Sequence, residues 1–550
     1  MVWSSEFDKE EDFQFAGKCV QPWQLEAARA NNMLEHLCAL HVGSRAPATR
    51  LSGLICSIGI ASCDVPTIEI LLENGMNIAC LNCLYGQIEY HQQILSNIRT
   101  AQKNFSKKIK MKYPLAVSAF TRGPVIRATI PIGCRVTEII LYQDDIIELC
   151  ADETYVIMSN NPKVIHINYN NFHRVVKVGN KVNINRRTIH LVCTDIVGAV
   201  VVCKVLKGGT VLSGSRVHLP GIPVDMPALN DIDKRVLTFA VESGIDIIFA
   251  AYVRDETTVN EIRQFLGPAG KHIMICSEIE NLQGIVNIDE IIKASDAIMV
   301  ARLDLANEIA DEKVFLAQRS IISKCNVVGK PVVCTTHLLE SMMYSRIPSR
   351  SESTDIANAI MNGVDCVMLY HETALGDYPV ATVKQAVAMC KQAEPAIWQK
   401  RMVMDLSKKI QAPIITTHAL AAAAVEISFS SLASAIVITT ASMKSAHLLS
   451  KYRPKCPIIA VTRNENQARQ AHMFRGIIPL LYKDQREIDW KKDLEKRVYF
   501  GINFGRKRGF IRPGEPVVIV TSSVQGSGFA DKMRIVYVTK HISHGTECIC

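Results

Sequence analysis

A chain of 550 residues with 48% hydrophobic and 21% charged residues is too long for one core and reads as an ordinary globular protein of about three domains. Its formal charge of +9 does not single out nucleic acid, because 62 basic residues are interspersed with 53 acidic ones. The dense basic run from Lys103 to Lys112 reads as a solvated helix end and not as an RNA contact.

The acidic, polar start, Met1 to Asp12, lacks the basic and apolar stretches of a secretory signal, so a cytoplasmic location is expected. Residues 1–50 form a polar leader. Short apolar runs then recur at Leu54–Ile58, Asn77–Asn82, Leu115–Ala119, Ile245–Ala250, His272–Ser277, Ala297–Ala301, Pro331–Thr335 and Asp365–Leu369. Between them lie helical patterns such as Val65–Glu73, Val259–Leu266, Ile285–Lys293 and Val314–Cys325. Strand then helix, repeated in this way, predicts a closed (β/α)8 TIM barrel over residues 51–124 and 225–395.

The gap after the third run is too long for one helix. Residues 125–224 are rich in Val, Ile and Thr, with turn signals at Val178-Gly179-Asn180 and Lys207-Gly208-Gly209, which predicts an inserted small β-barrel lid. The poorly charged stretch Ala412–Met443 is interrupted by Pro413 and Glu426, so it reads as a buried helix and a core strand, not as a membrane span. Strands at Ala435–Thr440, Pro457–Thr462, Ile477–Leu481, Pro516–Thr521 and Arg534–Val538, with helices among them, make residues 396–550 a separate α/β domain. The 18 cysteines are irregularly spaced and predict reduced thiols; Cys80 and Cys83 form a CxxC, but at a strand end with no second pair at metal-site spacing.

Collinear motifs over some five hundred residues carry a resemblance. They include Asn74-Gly75-Met76-Asn77, Thr121-Arg122-Gly123-Pro124, Leu339-Glu340-Ser341-Met342, Gly376-Asp377-Tyr378-Pro379, Tyr452-Arg453-Pro454 and Thr462-Arg463-Asn464. The chain resembles the pyruvate kinases. That resemblance implies phosphoryl transfer from phosphoenolpyruvate to ADP, chemistry that depends on cations placed around the phosphoryl group and the enolate. By the same resemblance, Glu280 and Asp304 match the ligands of Mg2+ or Mn2+, Thr336 matches the threonine near the enolate carbon, and Arg127 matches an arginine near the nucleotide phosphates. Asn82 matches a monovalent-cation ligand, and Thr121 stands in the same nucleotide and cation region.

Many matched positions depart from the family. Cys80, Leu84 and Tyr85 stand where it has arginine, serine and histidine, and Phe120 and Ala251 replace an aspartate and a serine, so a K+ site is expected to be lost. Glu278 falls at the lysine that faces the transferring phosphoryl group, a reversal of charge. Leu303 and Ala306 replace the two glycines of a carboxylate-binding turn, and Tyr370-His371 replaces Ser-Gly. In the lid, Asn185-Arg186-Arg187 replaces Asp-Asp-Gly, and Gly214-Ser215 stands near a pair of lysines, with Arg216 the adjacent cation that could compensate by position.

In the C-terminal domain Thr440, Ser442 and Ser445 match a hydroxyl-rich loop that grips a phosphate of fructose 1,6-bisphosphate in regulated members, while Lys444 keeps a basic residue of that turn. Trp490, Arg497 and Gly528, the last within Gly526-Ser527-Gly528, match the parts that close over this effector. Three functions remain open: an impaired relative kept as an effector-binding, regulatory or structural subunit, in a homotetramer or a mixed oligomer; a working pyruvate kinase; and metal-dependent enolate chemistry on a 2-oxo acid.

Overall fold

The computed structural model describes residues 22–83, 86–130, 138–158, 163–185, 188–409, 413–526 and 528–539. Met1–Asp12, Leu84, Tyr85, Arg186, Arg187 and Ser527 lie outside the described residues.

Eight parallel strands close a barrel: Gly53–Ile58, Ile78–Leu81, Ala116–Phe120, Ile247–Ala250, Met274–Ile279, Ala297–Ala301, Val332–Thr335 and Cys366–Leu369. Both faces of each strand are buried, which is why they read as continuous apolar runs and not as alternating ones. Ile55, Ile78, Phe120, Phe249, Cys276, Met299, Val333 and Met368 point inward and fill the barrel, while Leu54, Leu81 and Ile248 face the helices. Local chemistry sets the helix starts. Asp64 accepts from Thr67 N at 2.9 Å to open Val65–Glu73, and Asn230 with Asp233 forms a capping box on Asp231–Glu242. The helical pattern Ile285–Lys293 is split into Leu282–Val286 and Ile288–Ala294. The break falls at Asn287, whose side chain donates to Arg254 O at 3.0 Å, a local bond that competes with helix continuation.

The lid is a second closed barrel, of seven strands: Arg127–Thr129, Ile146–Cys150, Val164–Ile167, Lys181–Ile184, Ile189–Val197, Val200–Lys207 and Ser215–His218. Glu138–Leu141 and Gly209–Leu212 form a two-stranded ribbon beside it. The turn at Gly179 has φ +87°, a region open to glycine at little cost. The C-terminal sheet runs Ile477–Leu481, Ile458–Thr462, Ala435–Thr439, Pro516–Thr521 and Lys532–Tyr537, the last strand antiparallel to its neighbour. Within 412–443 the helix is Thr416–Ser430; it buries one face through Ala421, Ala424, Val425 and Ser428, while Ile415 and Glu426 stay exposed. It is thus one-sided, not buried throughout. Among the described residues no helix is long and apolar enough to cross a membrane.

Part of the leader is ordered as helices, Pro22–Arg29 and Met33–Cys38, a region with no apolar periodicity to announce it. Buried His36 ties them down, reaching Ala27 O at 2.7 Å and Ala396 O at 2.9 Å and stacking on Trp398.

His472 lies buried where the C-terminal domain meets the barrel, and burial, helped by Arg50, pushes it down from 6.5 to about 3. The folded value lies below the unfolded one, so the neutral ring's full contribution is present above about 6.5 and is lost as pH falls from there towards 3. His472→Asn, which cannot take up a proton, is therefore expected to reduce the stability lost between pH 7 and pH 5 by about 2 kcal/mol. Denaturant titrations at the two pH values measure it; equal losses in both proteins would refute the assignment.

Candidate active site and effector pocket

The fifth barrel strand carries Glu278 one residue before its end at Ile279, with Glu280 just beyond it, and the sixth is followed by the short helix Arg302–Glu308 that carries Asp304. All three carboxyl groups are buried at the C-terminal mouth of the barrel, where such barrels place their chemistry. An arginine from the lid meets two of them. From the lid strand Ser215–His218, Arg216 Nη1 reaches Glu280 Oε2 at 3.3 Å and Asp304 Oδ1 at 3.0 Å. The other oxygen of Glu280 accepts from Tyr252 N at 3.0 Å.

The electrostatics follow from this crowding. Burial first, then the charges of Glu280 and Asp304, holds the Glu278 carboxyl well above the usual carboxylate range, with Arg216 pulling the other way. Glu280 is raised by burial and by Asp304, an effect that Arg216 and the Tyr252 N–H partly offset. Burial works against the charge on Arg216, but Asp304 and Glu280 outweigh it and hold the guanidinium above its ordinary value. Glu278 therefore favours its neutral acid beside two carboxylates that share an arginine.

Thr336, just past the seventh strand, has φ +65°, costly for a β-branched residue. Arg302 holds it there, donating to its carbonyl through Nε at 3.1 Å and Nη2 at 2.8 Å. The threonine hydroxyl accepts from Leu303 N at 3.0 Å and donates to Thr335 O at 2.7 Å, so it is engaged within the protein.

Around the mouth, aromatic rings pack together. Phe120 packs on Phe249 at 5.0 Å and edge-on to Tyr370 at 5.7 Å between ring centroids. The Tyr370 hydroxyl accepts from Asn82 Nδ2 at 2.9 Å, which ties the second and eighth strand ends together. Thr121 Oγ1 accepts from Ala251 N at 3.0 Å. Arg127, in the lid strand beside Ser215–His218 and across from Arg216, donates to Gly214 O at 2.8 Å. Cys80 and Cys83 are buried free thiols, and burial pushes Cys83 up to about 12.

No sequence pattern points to Tyr252, whose φ of +57° aims its N–H at Glu280. Nor does any pattern point to the pairing of lid His218 with Glu308, Nδ1 to Oε1 at 3.6 Å, both side chains buried. The Asn230–Asp233 pair is a capping signal legible in the sequence; Asp233 also accepts from Arg122 N at 2.6 Å and Gly123 N at 3.2 Å, fixing the chain beside Thr121.

The C-terminal candidates come together. Thr440, Ser442, Ser445, Trp490, Arg497 and Gly528 line one cavity of about 690 Å³. Thr440 Oγ1 accepts from Met443 N at 3.0 Å at the start of the helix Lys444–Lys451, and Arg497 lies 5.0 Å over the Trp490 ring. Arg497 is also paired with Asp493, Nε to Oδ2 at 2.9 Å. Arg463 and Arg486 add positive charge to the lining, and Glu487 and Asp493 oppose it.

Comparison with known proteins agrees with this architecture. The family described as "Pyruvate kinase, barrel domain" matches residues 49–383, and "Pyruvate kinase, alpha/beta domain" matches residues 418–536. The human protein named "Pyruvate kinase PKLR" is 41% identical over 519 residues, covering 94% of this chain and 90% of that protein. A "Pyruvate kinase" of Lachancea kluyveri is 36% identical over 497 residues, covering 89% of this chain and 96% of that protein. "Pyruvate kinase 2" of Trypanosoma brucei brucei is 36% identical over 508 residues, covering 92% and 100%.

Proposed function

The chain belongs to the pyruvate kinase family, and we propose that it is a strongly impaired member, kept as an effector-binding and structural subunit in the cytoplasm. The observation that carries this is the cluster of Glu278, Glu280 and Asp304 with Arg216 as its cation. A transferring phosphoryl group needs donors and cations around it, and at the position of the expected lysine the protein presents a buried carboxyl group. Loss of one well-placed donor costs about 10²- to 10³-fold in rate, and any ionised carboxylate adds repulsion.

Glu280 and Asp304 offer the hard oxygens that Mg2+ or Mn2+ prefers. With Arg216 on an oxygen of each, the arrangement as folded does not fit a bound divalent ion, so no catalytic step is assigned to one. The same point weighs against enolate chemistry on a 2-oxo acid. Phe120, Tyr370 and Ala251 bring carbon to the place where K+ would need oxygens, which supports its loss.

Purified protein with phosphoenolpyruvate, ADP, Mg2+ and K+ is expected to turn over at least about 10³-fold below an ordinary family member. A rate within about tenfold would establish the alternative, a working pyruvate kinase, which the names of the relatives and the presence of Thr336, Asn82 and Arg127 favour.

The C-terminal cavity suits a phosphorylated sugar such as fructose 1,6-bisphosphate: hydroxyls and a helix start at one end, Trp490 and Arg497 at the other. Saturating fructose 1,6-bisphosphate is expected to raise the melting temperature, and Arg497→Ala to abolish the rise. An unchanged melting curve for the wild-type protein would remove the effector role. Exposed Phe315, Leu316, Tyr344 and Ile347 support assembly into an oligomer, as a homotetramer or with another family member.

A further inference from the structure

The lid strand Ser215–His218 pairs with Arg127–Thr129 on one side and Lys181–Ile184 on the other. Alternation along it turns Val217 into the lid core and sends Arg216 and His218 the opposite way, onto the barrel. Arg216 meets Glu280 and Asp304, and His218 stands against Glu308. A single strand thus places two basic side chains against three acids of the barrel mouth.

Two buried carboxylates require a positive charge between them. A guanidinium satisfies them with directed N–H donors, while a divalent ion demands the same oxygens as ligands and carries charge of the same sign as the arginine. The two cannot share the place. We propose that Arg216 is the resident cation of the Glu280–Asp304 pair, so that lid docking and divalent-metal uptake exclude each other and an ion enters only when this strand withdraws. This concerns the same carboxylates as the impaired-enzyme reading and rests on it for their position, but its readout is metal binding, not turnover.

The test is Mn2+ binding by the full chain without substrates, followed by the electron paramagnetic resonance of free Mn2+. Wild-type protein should bind weakly, and Arg216→Ala should bind one ion per chain at least about 100-fold more tightly. Arg216→Ala with Glu280→Gln should lose that gain, and Arg216→Lys, which keeps the charge, should gain less than Arg216→Ala. Equal affinity in wild type and Arg216→Ala, whether tight or absent, overturns the proposal. Should Arg216→Ala fail to fold, hydrogen exchange on the wild-type chain decides: Mn2+ at saturation should speed exchange of the amides at 215–218, and binding with those amides unchanged overturns it. Fast phosphoenolpyruvate turnover together with lid release by Mn2+ would sink the impaired reading alone; slow turnover with tight wild-type Mn2+ binding would sink this one alone.

Discussion

Glu278→Lys alone is expected to leave turnover of phosphoenolpyruvate and ADP within about tenfold of wild type, whereas the same change with Leu303→Gly, Ala306→Gly and Tyr370→Ser is expected to raise it about 10²- to 10³-fold. A lysine ammonium at 278 would restore one donor and relieve the crowding of three acids. It would also arrive beside Glu280 and Asp304, which have an arginine already, and be drawn to them in place of a phosphate. The mouth would stay filled: Tyr370 is tied to Asn82 and packed edge-on to Phe120. Its removal opens the mouth, and glycine at 303 and 306 clears side chains from the short helix that carries Asp304. Steady-state assays of pyruvate release on folded variants measure the series. Full recovery from Glu278→Lys alone would show that charge by itself disables the site; no gain from the fourfold variant would show that the defect lies elsewhere.

Much of the fold was legible because parallel strands and amphipathic helices write their burial directly into the residue pattern. Val65–Glu73, Ile477–Leu481 and Pro516–Thr521 have the expected bounds. Asn287 escaped notice because a side-chain bond to a residue 33 positions away ends the helix, and periodicity cannot record that. The acids at the barrel mouth were visible as residues at strand ends, and the six effector candidates as a hydroxyl-rich turn with a distant Trp and Arg. Their surroundings were not. Arg216 meets partners 64 and 88 residues away only because lid strand and barrel face each other. Tyr370 meets Asn82 and Phe120 only because the second, third and eighth strand ends come together at the mouth.

Asp365→Ala is expected to cost about 3–5 kcal/mol, through a pattern at the opposite end of the barrel. One residue before the second, fourth, sixth and eighth strands stands Asn77, Asp246, Asp296 or Asp365, and each accepts a backbone N–H from the strand before it. The donors are Leu54 at 3.0 Å, Val117 at 3.0 Å, Ile275 at 2.9 Å and Val332 at 3.0 Å. Each acceptor also holds an arginine: Arg50, Arg469, Arg263 and Arg453 in turn. Features at the N-terminal face of such a barrel serve stability, and here two of the arginines, Arg469 and Arg453, come from the C-terminal domain. Asp365 is the most heavily engaged. Arg453 grips it with Nη1 at 2.8 Å and Nη2 at 2.9 Å, a two-pronged contact that is buried on both sides, and Arg475 N also donates to it at 3.2 Å. Removing the carboxylate would strand Arg453, with Arg475 buried nearby, and leave Val332 N without its acceptor. Arg453→Met should cost less, because Asp365 would keep the backbone donors of Val332 and Arg475. Denaturant titration of the two variants gives the comparison. A loss under about 1 kcal/mol for Asp365→Ala would mean that apolar packing alone holds the two domains together, and a larger loss for Arg453→Met would reverse the order of importance within the pair.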